Sequence, residues 1–424
     1  MQLFHERLGG WTSIADTFVS FFANEPGCFW LDRQNHPSER FSVIGAGQPT
    51  SNLDPKPFED REDLPFAFRP GFVGVVHYPS GMGKLEEASG LLVDRAFVYD
   101  HDNRVMYFIG LFENRENFQN WFHGALLRLA LLGGDAASYE LSNPAATAAQ
   151  LQPTTRRNAY LEKIDTCKKL ISSGDVYQIC LTTAISGPFT GDALSYFLRL
   201  RKDNPAPYSS FIRTGHLEVV SISPERFITV NGNKVLSSPI KGTRARSENP
   251  VEDHRLLEEL GTDIKERAEN LMIVDLIRND LSIACEPESI SVDSLLAVKS
   301  FSTVHQLVSE VSGVLREGKS GFDAIAALIP GGSMTGAPKH RAMQILRELE
   351  DYERGVYSGG IGWVSAAGNM DLGMVIRTAV FKDNSVTIGI GGGITSDSIP
   401  EKEHEEIVLK SKALVNALGA TVSW

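Results

Sequence analysis

Lys241 stands in Ser237-Ser-Pro-Ile-Lys-Gly-Thr-Arg-Ala-Arg246, between a strand-like end and a Gly-Thr turn. An amine held there is placed to act as a nucleophile rather than as a surface charge. It must be neutral to attack, so burial or a cationic neighbour has to lower its pKa. Arg244 and Arg246 are the nearby candidates in the chain. Glu225, in Ser223-Pro-Glu-Arg-Phe227, fits either a pair with Arg226 or an external partner. Glu266 and Glu269 are three apart on one predicted helix, and Glu403 and Glu406 on another. Residues at i and i+3 share a helix face. Two such helices turned inward would gather up to four carboxylates, a donor set suited to Mg2+. Taken singly, each pair reads better as a solvated helix face. Leu271-Met-Ile-Val274 follows at once and places Glu269 at the edge of an apolar segment.

Two glycine-rich loops add backbone donors. Pro330-Gly-Gly-Ser-Met-Thr-Gly-Ala-Pro-Lys339 superficially resembles a phosphate loop, but Gly336 is followed by Ala-Pro and the Walker pattern fails. Gly389-Ile-Gly-Gly-Gly393 ends a predicted strand, where successive N–H groups can approach an anion or simply form a turn. Arg377 precedes it and Lys410 follows it. If these converge, the site suits a carboxylate, with Arg377 able to bind bidentately. His305, in Ser302-Thr-Val-His-Gln-Leu307, reads on its own as a satisfied core histidine.

Positioning these residues requires both helices and strands. Short strand-like runs fill residues 1–135, with one helical pattern over 116–132. A polar, Ala/Pro-rich stretch over 134–158 reads as a connector. It divides the chain into an N-terminal part, 1–150, and a second part, 151–424. In the second part the periodicity predicts helices over 157–173, 263–278, 322–328, 337–349 and 401–418. Strands are predicted over 176–185, 219–223, 226–230 and 234–237, then as a meander through 359–365, 371–381 and 385–390. Strands joined by short turns, with helices in separate blocks, argue for an α+β fold.

The 424 residues carry 41 Lys+Arg against 53 Asp+Glu, a net charge of -12. That excess of acid argues against nucleic acid or an anionic membrane as the main partner. No apolar run approaches the ~20 residues of a membrane span, and the N-terminus lacks a signal-peptide layout. The four cysteines form no CxxC pair and no zinc spacing. They read as small buried residues of a reduced, cytoplasmic protein.

Read together, the motifs resemble those of the chorismate-utilising enzymes over about residues 155–424. The matching segments begin with Gly174-Asp-Val-Tyr-Gln-Ile179, Ser223-Pro-Glu-Arg-Phe227 and Pro239-Ile-Lys-Gly-Thr-Arg244. Then come Ala268-Glu-Asn-Leu-Met-Ile-Val-Asp-Leu-Ile-Arg-Asn-Asp280, the loop 331–339 and Tyr357-Ser-Gly-Gly-Ile-Gly362. Val375-Ile-Arg-Thr378, Gly391-Gly-Gly-Ile394, Asp397-Ser398 and Glu403-His-Glu-Glu406 complete the set. The N-terminal third matches only weakly.

The resemblance implies two facing antiparallel β-sheets with helices outside and a Mg2+-dependent site between them. It implies Glu269 and Glu406 as direct metal ligands, with Glu266 and Glu403 supporting them, in part through water. It assigns chorismate binding to Gly242, Thr243, Tyr357, Arg377, Gly391, Gly393 and Lys410, and makes His305 an active-site residue. Within the family, Gln178 together with Lys241 is the combination of the aminodeoxychorismate synthase large components. Anthranilate synthases carry Ala where Lys241 stands. Isochorismate and salicylate synthases carry Lys where Gln178 stands. The implied reaction is amination of chorismate at C4 for 4-aminobenzoate and folate synthesis. Lys241 would attack C2, and a protonated Glu225 would donate to the departing hydroxyl. Anthranilate synthesis is the alternative within the family. A non-catalytic paralogue is disfavoured, because Glu225, Lys241, Glu269, His305 and Glu406 are all present. No glutaminase Cys-His-Glu arrangement is apparent, so a separate glutamine amidotransferase subunit, or solution, is expected to supply ammonia. Asn204-Pro-Ala-Pro-Tyr-Ser209 resembles the segment that closes the tryptophan pocket of anthranilate synthases. No other part of that inhibitor signature is evident, and feedback control by tryptophan is not expected.

Overall fold

Strand Gly27–Asp32 is buried at every position, which requires cover on both faces. Because side chains alternate along a strand, Cys28 and Trp30 point into one core and Phe29 and Leu31 into another. The computed structural model describes every residue except 37–38, 57, 59, 61, 84, 146–149 and 302–303. It shows two antiparallel β-sheets that share the long strand Ala88–Asp100. From that strand the first sheet runs through Phe41–Thr50, Gly27–Asp32, Tyr208–Thr214, Glu218–Ser223, Thr378–Lys382, Ser385–Ile394 and Gln178–Pro188. The second runs through Gly71–Val76, Gly360–Ser365, Met370–Met374, Arg226–Asn231, Lys234–Ser238 and Val304–Val314. Val304–Val314 also pairs with Ile240–Ala245 and with Ser291–Ser300.

The sheets face each other across an apolar layer. Phe29, Ile212 and Val219 of the first meet Val73, Val75, Ile361 and Trp363 of the second. Helices cover the outer faces. Arg157–Ser172, Ala193–Asp203 and Pro400–Ala417 bury their apolar sides with the first sheet. Ile264–Ala284 and Gly321–Leu328 do so with the second. This is the α+β architecture of two facing antiparallel sheets with helices outside.

Strands from before residue 150 interleave with later ones: Gly27–Asp32 pairs with Tyr208–Thr214, and Gly71–Val76 with Gly360–Ser365. The stretch read as a connector contains the helix Asp135–Ser142 and the strand Gln150–Pro153. Its residues 146–149 lie outside the described ones. The helix predicted over 263–278 runs from Ile264 to Ala284. Its last turns hold Asp280, whose buried carboxylate accepts a hydrogen bond from Lys339 Nζ. That pair ties the helix to the end of the 330–339 loop. All four cysteines are buried and unpaired. No helix among the described residues is long and apolar enough to cross a membrane.

Candidate active site

Ile240–Ala245 pairs with Val304–Val314, and its register shifts between Ile240 and Thr243. Lys241 and Gly242 form the irregular step. Gly242 has φ +85°, and a Cβ there would lie 2.8 Å from Leu260 Cδ1 and 3.2 Å from Glu266. A residue without a side chain lets the strand turn Lys241 inward beside the Ile264–Ala284 helix. Lys241 Nζ lies 3.8 Å from Glu269 Oε2. Burial pulls the Lys241 pKa down, but Glu269, Cys180, Glu225 and Glu406 outweigh it and hold the amine above its ordinary value. This corrects the expectation of cationic neighbours. Arg244 is turned to Glu259, Asp263 and Glu266, and Arg246 to Asp253.

The four sequence-spaced glutamates come from two helix N-termini. Asp263 caps the first helix by accepting from Glu266 N at 3.1 Å, so Glu266 and Glu269 stand on its opening turns. Pro400 opens the second helix, placing Glu403 in its first turn. Glu269 and Glu403 are buried, which excludes a solvated-face reading for both. Glu406 Oε1 accepts from Lys410 Nζ at 2.7 Å. The Glu406 side chain is 47% exposed, so the partial desolvation that would raise its pKa gives way to Lys410, Lys241 and Lys265, which bring it below the usual carboxylate value. Burial keeps Glu266 and Glu269 raised, against the pull of Arg244 on the first and of Lys241 and Lys265 on the second. Among the described residues no three carboxylate, histidine or cysteine groups stand close enough to hold an ion as they are. Lys265 lies between the two helices instead, 3.8 Å from Glu269 Oε1 and 3.5 Å from Glu403 Oε1. An all-oxygen donor set already gathered around a cation is chemically fit for a hard metal such as Mg2+.

Glu225 is a different kind of carboxylate. It is buried, and Ser333 Oγ of the 330–339 loop donates to it at 3.0 Å. Arg226 turns away, its Nε donating to Tyr208 Oη at 2.8 Å. Burial raises the Glu225 pKa to about 7, against the Ser333 hydrogen bond and the charges of Lys241 and Lys410.

Gln178, Gly393, Gly391 and Lys410 belong to the same region. A Cβ on Gly393 would lie 2.5 Å from Gln178 Nε2 and 3.4 Å from Lys241 Nζ, so the bare glycine leaves room for both. Gln178 Oε1 is buried without a hydrogen-bond partner. Lys410 Nζ donates to Gly391 O at 3.0 Å. The Tyr357 ring lies against Gly389, close enough to exclude a Cβ there. Thr243 Oγ1 is 3.5 Å from Gln306 Nε2. Arg377 is half-buried at φ +49°, and among the described residues no carboxylate or carbonyl takes its guanidinium. A desolvated guanidinium without a counter-ion is a ready carboxylate receptor.

His305 stands on the strand that pairs with Ile240–Ala245. Ser300 Oγ is 2.8 Å from its Nδ1 and Asp253 Oδ1 is 3.0 Å from its Nε2, so both ring nitrogens are engaged. Ser302 and Thr303 of its motif lie outside the described residues. Tyr208, in the segment similar to a tryptophan-pocket closure, donates to Asp371 at 3.0 Å and has Arg33 over its ring at 4.4 Å. The chain's own side chains thus surround it. Sequence reasoning missed Lys265, Asp253 and Ser333. Ser333 had a signal, because the non-Walker glycine loop had to serve something else.

The chain matches the chorismate binding enzyme family over residues 29–416. It belongs to that family. Aminodeoxychorismate synthase of Streptomyces griseus is 39% identical over 368 residues, covering 84% of this chain and 51% of that protein. The chain thus spans about half the length of that relative. Anthranilate synthase component 1 of Lactococcus lactis is 34% identical over 377 residues, covering 85% of this chain and 81% of that one. Among solved structures, anthranilate synthase component I of Streptococcus pneumoniae superposes with a TM-score of 0.77 at 26% identity. That match covers 89% of this chain and 92% of the other.

Proposed function

We propose that this member of the family aminates chorismate at C4, with Lys241 as covalent nucleophile and Glu225 as general acid. One observation carries the reading. An amine only 15% exposed and a buried carboxyl poised near pH 7 act on each other within one site. Lys241 Nζ attacks C2, both ring double bonds shift (C1=C2 to C1=C6 and C5=C6 to C4=C5), and the C4 hydroxyl leaves as water with the Glu225 proton. Ammonia then attacks C4, both double bonds shift back, and the Lys241 amine is expelled. The proton lost by the incoming ammonia returns to Glu225. Splitting a difficult displacement in this way is what covalent catalysis accomplishes.

Mg2+ would supply a hold on the ring carboxylate and neutralise Glu269 and Glu406, with Glu266 and Glu403 behind them. Those carboxylates would then no longer keep Lys241 protonated, leaving burial to lower its pKa. Arg377, Lys410, Tyr357 and the backbone of Gly242, Thr243, Gly391 and Gly393 bind the rest of the dianion. Gln178, with its free carbonyl oxygen, faces the reacting end. Ammonia comes from a separate glutaminase subunit, and the product feeds 4-aminobenzoate and folate synthesis in the cytoplasm. Anthranilate synthesis is the second reading, favoured by the Lactococcus lactis relative.

Product analysis separates the two. Purified protein is given chorismate, Mg2+ and excess ammonium. Aminodeoxychorismate, convertible to 4-aminobenzoate by added lyase, supports the proposal. Anthranilate means that Lys241 does not direct amination to C4.

A further inference from the structure

Among the described residues Lys265 is the one cation that ion-pairs with carboxylates of both helices, and the proposed mechanism gives it no task. Ion pairs of half-exposed lysines usually contribute little. Lys265 differs because its partners are buried. Glu269 is 8% exposed and Glu403 is 4% exposed, and they stand on different helices. Lys265 Nζ is 3.8 Å from Glu269 Oε1 and 3.5 Å from Glu403 Oε1, the oxygen that Ser398 Oγ also holds at 2.7 Å. Two buried carboxylates facing each other without a cation would be strongly unfavourable. The same four glutamates that a metal would use are the charges that act on this ammonium.

We propose that Lys265 is a built-in counter-cation of the metal-free enzyme, holding the two helices together until a divalent ion displaces it. This rests on the metal reading of Glu269 and Glu406 given above. An ammonium between the helices and a divalent ion on the same oxygens repel each other, so both cannot stay. The Lys265 side chain is 49% exposed, so it can swing into solvent without leaving a cavity. Metal binding must therefore break the lysine contacts, and the native lysine weakens metal affinity while stabilising the unloaded site. It also sets a threshold, keeping the carboxylates paired when metal is scarce.

The test is calorimetric titration of MgCl2 into full-length Lys265→Met, Lys265→Arg, Glu269→Gln, Glu406→Gln and the parent protein, with melting temperatures measured in chelator. Methionine keeps the aliphatic stem and the helix propensity. The proposal expects Lys265→Met to bind Mg2+ about tenfold more tightly, equivalent to ~1.4 kcal/mol. It expects the metal-free variant to melt below the parent and to regain that loss on adding Mg2+. Lys265→Arg, which keeps the charge, should stay near the parent in both measurements. Unchanged or weaker Mg2+ binding in Lys265→Met, with Glu269→Gln and Glu406→Gln impaired, overturns the role of Lys265 alone. Parent-like Mg2+ binding in both glutamine variants overturns the metal reading and this inference with it.

Discussion

The site has two walls that treat carboxylates in opposite ways. Glu225 sits beside the 330–339 loop with a neutral hydroxyl as its hydrogen-bond partner, and burial raises its pKa to about 7. Glu406 sits on the opposite wall at 2.7 Å from Lys410 and is held below the ordinary carboxylate value. Glu225 is buried, whereas the Glu406 side chain is 47% exposed and has an ammonium in direct contact, so burial and charge together separate the two. In the proposed reaction one wall would store a proton for the leaving group, and the other negative charge for a cation. The lesson is that a site can set identical side chains on different courses through their burial and their partners together.

The largest expected effect removes the group between the walls. Lys241→Ala should reduce C4 amination to near background while the fold persists; product formation by chromatography checks it, and anthranilate would reveal diverted C2 chemistry. Glu225→Gln should lower kcat by ~10²–10⁴-fold, as for other positioned general acids. In the parent enzyme Glu225 must be protonated to donate. The Glu225 limb should therefore appear as a fall in activity as pH rises through about 7, and a pH–rate profile reads it directly. On the other wall, Glu269→Gln and Glu406→Gln should each weaken Mg2+ binding and leave the pH limb of Glu225 in place. Normal Mg2+ titrations in both would remove the contrast between the walls. The smallest effect is Ser333→Ala. Ser333 lowers the Glu225 pKa, so its loss should move the limb upward by roughly one unit, the scale of a single hydrogen bond. A downward shift would mean that Ser333 does not donate to the carboxylate.

Much of the chemistry was legible because spacing and glycine runs leave marks in a sequence. The Glu266/Glu269 and Glu403/Glu406 pairs, Lys241 and the 389–393 run all contribute to one region. What periodicity could not decide was the side to which each pair turns, since three-residue spacing describes a solvated face equally well. Burial of Glu269 and Glu403 by the packed sheets resolves that. Lys265 was hidden for the same reason, because a lysine four residues before a glutamate is an ordinary surface pattern. The helix predicted to end at 278 runs on to Ala284, past the polar Asp280. Its partner Lys339 is remote in sequence, and that pairing makes its burial tolerable. The helix Pro250–Thr262 had a readable start, Asn249 as cap with Pro250 after it, which the search for apolar periodicity passed over. Asp253, which holds His305, stands on that helix.

The most direct test of the central claim is mass spectrometry of the protein incubated with chorismate and Mg2+ in the absence of ammonia. The account predicts an adduct of chorismate less one water on the peptide carrying Lys241, discharged as aminodeoxychorismate when ammonium is added and absent from Lys241→Ala. An unmodified Lys241, together with undiminished C4 amination by Lys241→Ala, would contradict it.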